Sequence, residues 1–336
     1  MRALVTGGDG FVGQHLIREL LGSGHEVAAS VLRLPAAATV LARPQCEAVT
    51  WAQADVRDAE SLHGIIASLR PAAIFHLAGF SSGAHARAEP HEALMLNAGG
   101  TLNLLSATAR AREEEPGYSP RILVMGSGDA YGFSSEEPIR EDRSLSPRSP
   151  YGLSKACQEL VARTFRRWQG LDTVVVRSFN LLGPGQSSRF AVPDFSRQVA
   201  AIAEGDAAPV LEVGNLRVER DFLDVRDAVR ALRSLAELER PHETYNVCSG
   251  RALAIRQLVD WILDEAGVEV ELRVAEARVR PGESERVVGD PGLLMGATGW
   301  APRRDLEASV KETYRWVRDT AERPAQAENV EGGSWT

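Results

Sequence analysis

The chain has 336 residues, 44% hydrophobic and 25% charged, a mixture that is typical of globular proteins and excludes disordered, collagen-like and fibrous chains. Its 38 basic and 46 acidic residues give a net charge of −8 with no block of Lys or Arg, so nucleic-acid binding is not expected. No apolar run approaches the ~18 residues that a membrane span needs, so no membrane association is expected.

The first half of the chain alternates short apolar runs with helical patterns. The apolar runs that predict strands lie at 3–6, 26–31, 48–51, 72–77, 121–125 and 173–179. Helical patterns separate most of them, and the two longest cover 88–112 and 151–169. Strands and helices alternating at this spacing predict βαβ units. We therefore predict an α/β fold with a Rossmann-type, doubly wound parallel sheet.

The second half of the chain has a different rhythm. A loop rich in Gly, Pro, Gln and Ser is predicted at 180–189. The elements predicted after it are helices at 192–204, 225–238, 253–267 and 304–322 and strands at 210–213 and 243–247. We predict a main domain of 1–178 and 224–249, a smaller C-terminal domain of 179–223 and 250–323, and a disordered tail at 324–336.

The first strand runs into a glycine-rich segment, 6–13, which a helix follows. Gly8, Gly10 and Gly13 fit the spacing G-x-G-x-x-G, and Gly7 with the latter two fits G-x-x-G-x-x-G. Glycines allow the tight turn and let backbone N–H groups approach a pyrophosphate at the helix N-terminus. The context between strand and helix predicts a dinucleotide site. The expected contacts are Gly7, Gly10, Phe11, Val12 and Gly13.

The end of the second strand indicates which dinucleotide binds. An NAD site would place an acidic residue there, but the chain has none between Glu26 and Glu47 and has Arg33 instead. An arginine without a carboxylate suits a 2′-phosphate, so NADP(H) is favoured over NAD(H). Asp55, after the third strand, is expected either to hydrogen-bond the adenine or only to cap a turn.

Tyr151 and Lys155 lie four residues apart at the start of a predicted helix, on one face. The strand predicted at 121–125 precedes them and leads directly into Gly126 and Ser127. Reduction of a carbonyl needs a proton donor, and a nearby ammonium lowers the pKa of a tyrosine toward the working range. Ser127 can hold the same oxygen. We predict Ser127, Tyr151 and Lys155 as the catalytic residues.

The chain resembles the extended short-chain dehydrogenase/reductase family, nucleotide-sugar branch, to about residue 322. Within it, the chain is most similar to the reductases of GDP-4-dehydro-6-deoxy-D-mannose. The segments that carry the resemblance are 127–132, 149–155, 177–186, 212–216, 220–227 and 245–250.

The resemblance implies the catalytic set named above and a cofactor-binding main domain with a nucleotide-sugar-binding second domain. Further residues expected at the cofactor are Val56, Leu77, Ala78, Gly79, Asn97 and Phe179. Residues expected at the substrate, besides Ser127, are Asp129, Asn180, Arg220, Arg280 and Glu283. Alternatives stay open: Asn180 could cap its loop, Arg220 could pair with a neighbouring Asp, and Glu283 could be an ordinary exposed acid.

Dehydratases of this family carry a glutamate two residues before the Tyr-Gly pair. Here Asp129 takes that place, one methylene shorter, with Gly128 before it. This favours NADPH-dependent reduction of the C4 ketone of GDP-4-dehydro-6-deoxy-D-mannose to GDP-D-rhamnose, with Tyr151 as proton donor. The alternatives are a GDP-mannose 4,6-dehydratase and a reductase or epimerase of another nucleotide sugar. An alternative from a different class is a redox-sensing binding protein that keeps the fold without turnover. The presence of Ser127, Tyr151 and Lys155 argues against it, because a sensor does not need these groups.

The sequence also supports predictions of the cellular location and of the oligomeric state. Cys46, Cys157 and Cys248 are far apart and form neither a disulfide framework nor a metal site. A strand that starts next to Met1 leaves no room for a signal peptide, so a cytoplasmic location is expected. By resemblance, helices 88–112 and 151–169 are expected to form a homodimer.

Overall fold

A computed structural model describes residues 1–132, 137–279 and 284–321. Arg280, Glu283 and the predicted tail at 324–336 lie outside these residues. The chain forms two compact units. The first unit comprises Met1–Leu181, Glu219–Leu253 and Ser284–Arg304; the second comprises Leu182–Val218, Ala254–Glu283 and Asp305–Thr336, so far as these are described.

A seven-stranded parallel sheet forms the centre of the first unit, as predicted. Its strands are β1 (Arg2–Thr6), β2 (Glu26–Val31), β3 (Val49–Gln53), β4 (Ala73–His76), β5 (Arg121–Ser127), β6 (Asp172–Ser178) and β10 (Thr244–Val247). The order across the sheet is β10-β6-β5-β4-β1-β2-β3. Strand order reverses between β1 and β4, which is the switch point of a doubly wound sheet. The predicted α/β, Rossmann-type fold class is therefore confirmed.

Helices cover both faces of this sheet. Those of the first unit are α1 (Phe11–Gly22), α2 (Arg43–Glu47), α3 (Ala59–Leu69), α4 (Gly83–Ala88), α5 (Pro90–Leu94), α6 (Gly100–Glu114), α7 (Pro150–Gln169), α9 (Val225–Glu237) and α11 (Gly292–Thr298). Successive strand residues point to opposite cores. Val5 packs in the core with α1, α9 and α11, whereas Leu4 packs in the core with α3, α6 and α7.

The long helix predicted at 88–112 is interrupted. Pro90 starts a new helix after α4 because proline disfavours helical backbone in the residue before it. A π-helical segment, Met95–Gly99, then joins α5 to α6. Such segments are frequent at functional sites.

The second unit is mainly helical. It contains α8 (Ala191–Ala203), α10 (Ile255–Ala266), α12 (Leu306–Ala321) and a parallel pair, β8 (Val210–Val213) with β12 (Glu271–Val274). The helix α12 packs against α8 and α10.

A small sheet was not predicted from the sequence. It consists of β11 (Ala252–Ala254), β9 (Glu219–Asp224) and β13 (Arg286–Val287), with β7 (Asn180–Leu182) paired to β9. These strands are short, and β9 carries four charged residues, so neither length nor apolar periodicity marks them.

The segment Ser284–Arg304 packs with the first unit, whereas the sequence-based division placed all of 250–323 in the second domain. Two contacts explain this packing. The buried Asp227 carboxylate accepts the backbone N–H groups of Arg303 and Arg304, both at 2.9 Å. Trp300 is buried and donates its indole N–H to the Asp227 carbonyl at 3.0 Å. Which domain holds cofactor and which holds sugar nucleotide stays a prediction.

Candidate active site

The carboxyl ends of the central strands bring the predicted residues to one edge of the sheet. Thr6 pairs in register with His76, and Ser127 with Ser178. Ligands of open α/β sheets bind outside the carboxyl ends, at the switch point of strand order. The glycine-rich turn follows β1, so it lies at this point.

Two glycines of that turn have no room for a side chain. Gly7 has φ +69°, and a Cβ there would lie 3.0 Å from the backbone N of Ala78. A Cβ on Gly13 would lie 2.2 Å from the Gly7 carbonyl oxygen. Gly10 is the N-cap of α1 and offers no side-chain cap to its first N–H groups. These features leave a bare backbone cradle before Phe11 and Val12, which fits a dinucleotide pyrophosphate.

Arg33 and Asp55 follow the second and third strands. Arg33 is exposed, and the described residues place no carboxylate in hydrogen-bond contact with it. Asp55 accepts the backbone N–H of Arg57 at 2.8 Å and pairs with the Arg57 guanidinium at 2.5 Å. The Arg57 contacts lower the pKa of the Asp55 carboxyl. Asp55 therefore makes the turn-capping hydrogen bond that was one of its two expected roles. The other expected role, a hydrogen bond to adenine, stays a prediction.

Ser127, Tyr151 and Lys155 meet at the edge where β5 ends and α7 begins. Ser149 is the N-cap of α7 and accepts the N–H of Gly152 at 3.0 Å, which fixes the first turn. The Tyr151 hydroxyl is hydrogen-bonded to Ser127. Lys155 is 6% exposed, and its Nζ lies 6.0 Å from the centre of the Tyr151 ring. The sequence-predicted set is thus brought together, and its catalytic role stays a proposal.

The prediction that Lys155 lowers the pKa of Tyr151 is wrong for this structure. Burial raises the pKa of Tyr151, and the nearby Asp129 carboxylate raises it further, while the Ser127 hydrogen bond opposes them. Burial also lowers the pKa of Lys155 to about 7. Both charged forms are disfavoured because the site removes them from water. Tyr151 is consequently held in its protonated form.

Lys155 is held by groups that sequence reasoning missed. Its Nζ donates to the carbonyl of Met125 and to Oε1 of Gln158, both at 2.9 Å. The amide nitrogen of Gln158 donates to Thr101 Oγ1 at 2.9 Å. Gln158 and Thr101 are both fully buried. Gln158 lies three residues after Lys155 on α7, a spacing that places both on one helix face and is the one signal that could have pointed to it.

The same network fixes the tautomer of His76. Thr101 Oγ1 donates to the Asn97 carbonyl at 2.7 Å, so His76 Nε2, 3.0 Å away, must donate to it. His76 Nδ1 then accepts from the Thr6 hydroxyl at 2.9 Å. Burial and the Lys155 charge lower the pKa of His76 to about 3, so the ring is neutral. His76 is thus a buried, hydrogen-bonded residue.

The loop after β4 is tied to this network. The N–H groups of Leu77 and Ala78 donate to Thr6 Oγ1, both at 3.2 Å, and Gly79 is exposed. Asn97 is fully buried. Its Oδ1 accepts the backbone N–H of Phe80 at 2.8 Å, and its Nδ2 donates to Ser154 Oγ at 2.8 Å. The hydrogen bonds of Asn97 therefore lie within the protein, between the loop and α7.

The described residues that were predicted to bind substrate differ in their exposure and in their hydrogen-bond partners. Asp129 is exposed, and Asn180 is exposed with its Nδ2 donating to the Asp221 carbonyl at 2.9 Å. Arg220 donates to the Glu219 carbonyl at 2.8 Å. The neighbouring Asp221 carboxylate accepts from Ser249 and Gly250.

Phe179 and Val56, both predicted at the cofactor, are buried. Phe179 packs with Tyr131, Ile139 and Cys248. Within the described parts of the chain, no group of three or more His, Cys, Asp or Glu is arranged to hold a metal ion. No described helix is both long and apolar enough to cross a bilayer.

Comparison with known proteins gives consistent matches over nearly the whole chain. The family model of GDP-mannose 4,6 dehydratase matches residues 4–313. GDP-6-deoxy-D-mannose reductase of Pseudomonas aeruginosa is 36% identical over 318 residues, which are 94% of this chain and 95% of that protein.

Two solved structures extend this similarity. RMD from Pseudomonas aeruginosa complexed with NADPH matches with a TM-score of 0.78 and 33% identity, over 95% of this chain and 99% of that one. DesIV, a dTDP-glucose 4,6-dehydratase from Streptomyces venezuelae with NAD and TYD bound, matches with a TM-score of 0.83 and 28% identity, over 96% and 98%.

Proposed function

The chain belongs to the GDP-mannose 4,6-dehydratase family, within the extended short-chain dehydrogenases/reductases, and from that premise we propose that it is an NADPH-dependent reductase. Its proposed substrate is GDP-4-dehydro-6-deoxy-D-mannose and its product GDP-D-rhamnose. The resemblance of sequence segments and the 36% identical reductase support this choice.

The observation that carries the proposal is the surroundings of Gly128, next to Ser127. Glycine supplies no acid–base group, and a Cβ at this position would lie 3.3 Å from three atoms of the Phe179 ring, so a larger residue would require that ring to shift. Elimination of water from C5 and C6 of a hexose needs both a base and an acid within hydrogen-bond reach. Asp129 offers one short carboxylate. Direct reduction of a ketone needs no second carboxylate.

The protonation state of Tyr151 also favours reduction. When bound, the reduced nicotinamide supplies the hydride that reaches the sugar C4. Tyr151 then gives its proton to O4 while Ser127 donates a hydrogen bond to the same oxygen, so that ketone becomes alcohol. The raised pKa of Tyr151 keeps that proton in place until it is needed. A dehydratase or epimerase begins by oxidising C4, and there the tyrosine must first accept a proton.

NADPH is proposed for two reasons. Arg33 is exposed at the end of β2 with no acidic residue in the position that would bind a ribose hydroxyl. The relative from Pseudomonas aeruginosa was solved in complex with NADPH. Lys155 is proposed to hold the nicotinamide ribose, because its ammonium is anchored by Gln158 and Met125 beside Tyr151.

Binding of the sugar nucleotide is proposed to use Asn180 and Arg220, with Arg280 and Glu283 by resemblance. Guanidinium groups bind diphosphates through paired hydrogen bonds, and a chain of net charge −8 needs local arginines to accept one. GDP alone should therefore compete with substrate, and Arg220→Ala should weaken that competition. If competition by GDP is unaffected in Arg220→Ala, this residue does not bind the diphosphate.

A GDP-mannose 4,6-dehydratase is the second candidate, since the matched family model carries that name. Asp129 lies close enough to Tyr151 to raise the pKa of its hydroxyl, so its carboxylate is near the reacting atoms. Dehydration would require the Asp129 carboxylate to transfer a proton through a water molecule, because Gly128 supplies no second acid–base group.

A homodimer is proposed through the segments 88–112 and 151–169. Four large apolar side chains in these segments are about half exposed: Met95 49%, Leu102 45%, Leu153 50% and Leu160 57%. Exposed apolar patches on neighbouring helices favour association. A cytoplasmic location is proposed because the cysteines are all free thiols, which suits a reducing compartment.

The experiment that tests the proposed function is a panel of 4-keto-6-deoxy sugars carried by GDP, UDP or dTDP, with oxidation of NADPH followed by absorbance. The GDP sugar should give the highest kcat/KM. Equal use of the three nucleotides would contradict the GDP assignment, and no oxidation with any of them would contradict the reductase assignment.

A further inference from the structure

A cavity of about 370 Å³ lies in the first unit, between α1, the start of α9 and residues 303–304, and none of the residues assigned to the active site lines it. Cavities of about 300–1,000 Å³ are typical of small-molecule sites. Five arginines line this arginine cavity: Arg18, Arg226, Arg230, Arg303 and Arg304.

Among the residues that the structure describes, two carboxylates line the arginine cavity, and both already have partners. Glu19 pairs with Arg233 on the neighbouring turn of α9 at 2.9 Å. Asp227 pairs with Arg230 at 2.5 Å and also accepts backbone N–H groups at 2.9 Å. The five guanidinium groups therefore exceed the lining carboxylates by three charges.

A third carboxylate, Asp224, is fully buried at the N-terminus of α9. It is the N-cap of that helix, and it pairs with Arg226 at 2.5 Å. Arg304 lies 4.0 Å from the same carboxylate. Asp224 thus offsets one charge of the cluster and is shared by two arginines.

Arg18 is the lining arginine whose guanidinium pKa is lowered by a neighbouring positive charge. Its Nε is buried and has no hydrogen-bond partner among the described residues, while its Nη2 donates to the Val40 carbonyl at 3.0 Å. Burial lowers the pKa of Arg18, and the charge of Arg226 lowers it further. Arg303 likewise makes a backbone contact to Asp227, but its guanidinium has no hydrogen bond within the described part of the chain.

We propose that the arginine cavity binds a small phosphorylated metabolite that carries two or more negative charges. Guanidinium groups present paired donors that match phosphate oxygens, and several phosphate oxygens can accept from different arginines at once. After Asp224 is counted, an excess of two positive charges is left, which calls for an anion with at least two negative charges. The volume is more than ten times the ~30 Å³ share of one water molecule, so it has room for more than a single ion.

The test uses inorganic pyrophosphate as the probe and the whole chain saturated with NADPH and GDP, so that the other diphosphate sites are filled. Titration calorimetry at low salt should show binding to the unmodified protein. Arg303→Gln should weaken it by about tenfold or more, because a charge-assisted contact is lost. This variant should fold normally, since the guanidinium makes no hydrogen bond in the described residues.

Arg18→Gln should weaken pyrophosphate binding by a similar factor. Arg43→Gln is the matched control, because Arg43 has a side chain 90% exposed outside the cavity and should leave binding unchanged. Absence of binding to the unmodified protein would overturn the proposal. So would equal affinity in Arg303→Gln, or an equal loss in Arg43→Gln, which would indicate non-specific attraction.

Discussion

Replacing Gln158 by leucine tests whether the buried network controls the charge of Lys155. Leucine has nearly the same size, so it fills the space while removing the oxygen that accepts from Lys155 and the amide that donates to Thr101. A hydrogen bond to a charged group contributes about 1.5–3 kcal/mol. One pKa unit corresponds to about 1.4 kcal/mol, so the pKa of Lys155 should fall by about one to two units.

The sign of the effect on activity follows from the direction of this shift. Burial already places the pKa of Lys155 at about 7, and activity that needs the ammonium falls as pH rises through that value. Removing an acceptor disfavours the charged form, so this fall should move to lower pH in Gln158→Leu. At pH 7 the variant should have lost about tenfold in kcat/KM, by the same conversion.

The assay is the pH profile of kcat/KM for NADPH oxidation from about pH 5 to 9. Gln158→Glu should move the fall to higher pH, because a carboxylate favours the ammonium. Gln169→Leu makes the same substitution near the end of the same helix and should leave the profile unchanged. An unaltered profile in Gln158→Leu would refute the idea that Gln158 sets the charge of Lys155.

Three further predictions concern the acid, the cofactor and the core. Tyr151→Phe should bind NADPH with unchanged affinity by fluorescence titration but lose about 10²–10⁴ in kcat, and near-normal kcat would remove Tyr151 from the acid role. Arg33→Ala should reduce the preference for NADPH over NADH by about tenfold or more in steady-state kinetics, since a charge-assisted contact is lost; equal use of both cofactors by the unmodified protein would contradict the assignment. Arg177→Met should reduce the free energy of unfolding in urea by about 3–5 kcal/mol, because it leaves the carboxylate of Glu159 buried without its 2.6 Å partner. Adding Glu159→Leu to that variant should recover most of the loss, and a double variant no more stable than Arg177→Met would show that the ion pair is not the cause.

The central sheet could be predicted from the sequence because each strand is a short apolar run between helical patterns, which local periodicity reports well. The glycine-rich turn was identifiable because its backbone cannot accept a Cβ at Gly7 or Gly13. Ser127, Tyr151 and Lys155 were found from their spacing after a strand, and the structure brings them together. These features depend on neighbours in sequence.

The features that sequence reasoning missed depend on contacts between distant residues. The hydrogen bond from Gln158 to Thr101 joins residues 57 positions apart, and the three-residue spacing of Lys155 and Gln158 on α7 does not reveal that distant partner. The pKa of Tyr151 depends on burial, so proximity to a lysine in sequence predicted the wrong direction. The segment Ser284–Arg304 packs with the first unit because the Asp227 carboxylate accepts backbone N–H groups of Arg303 and Arg304, more than 70 residues away in sequence.

The most direct test of the reductase assignment compares two reactions of the purified protein. One sample receives GDP-4-dehydro-6-deoxy-D-mannose with NADPH, and the other receives GDP-mannose with NADP⁺, with products identified by mass spectrometry. We expect one NADPH consumed per keto sugar in the first sample and no 4-keto sugar in the second, because position 128 cannot supply the second acid–base group. Formation of the 4-keto sugar from GDP-mannose at a rate comparable to the reduction would contradict the account and assign the protein as a dehydratase.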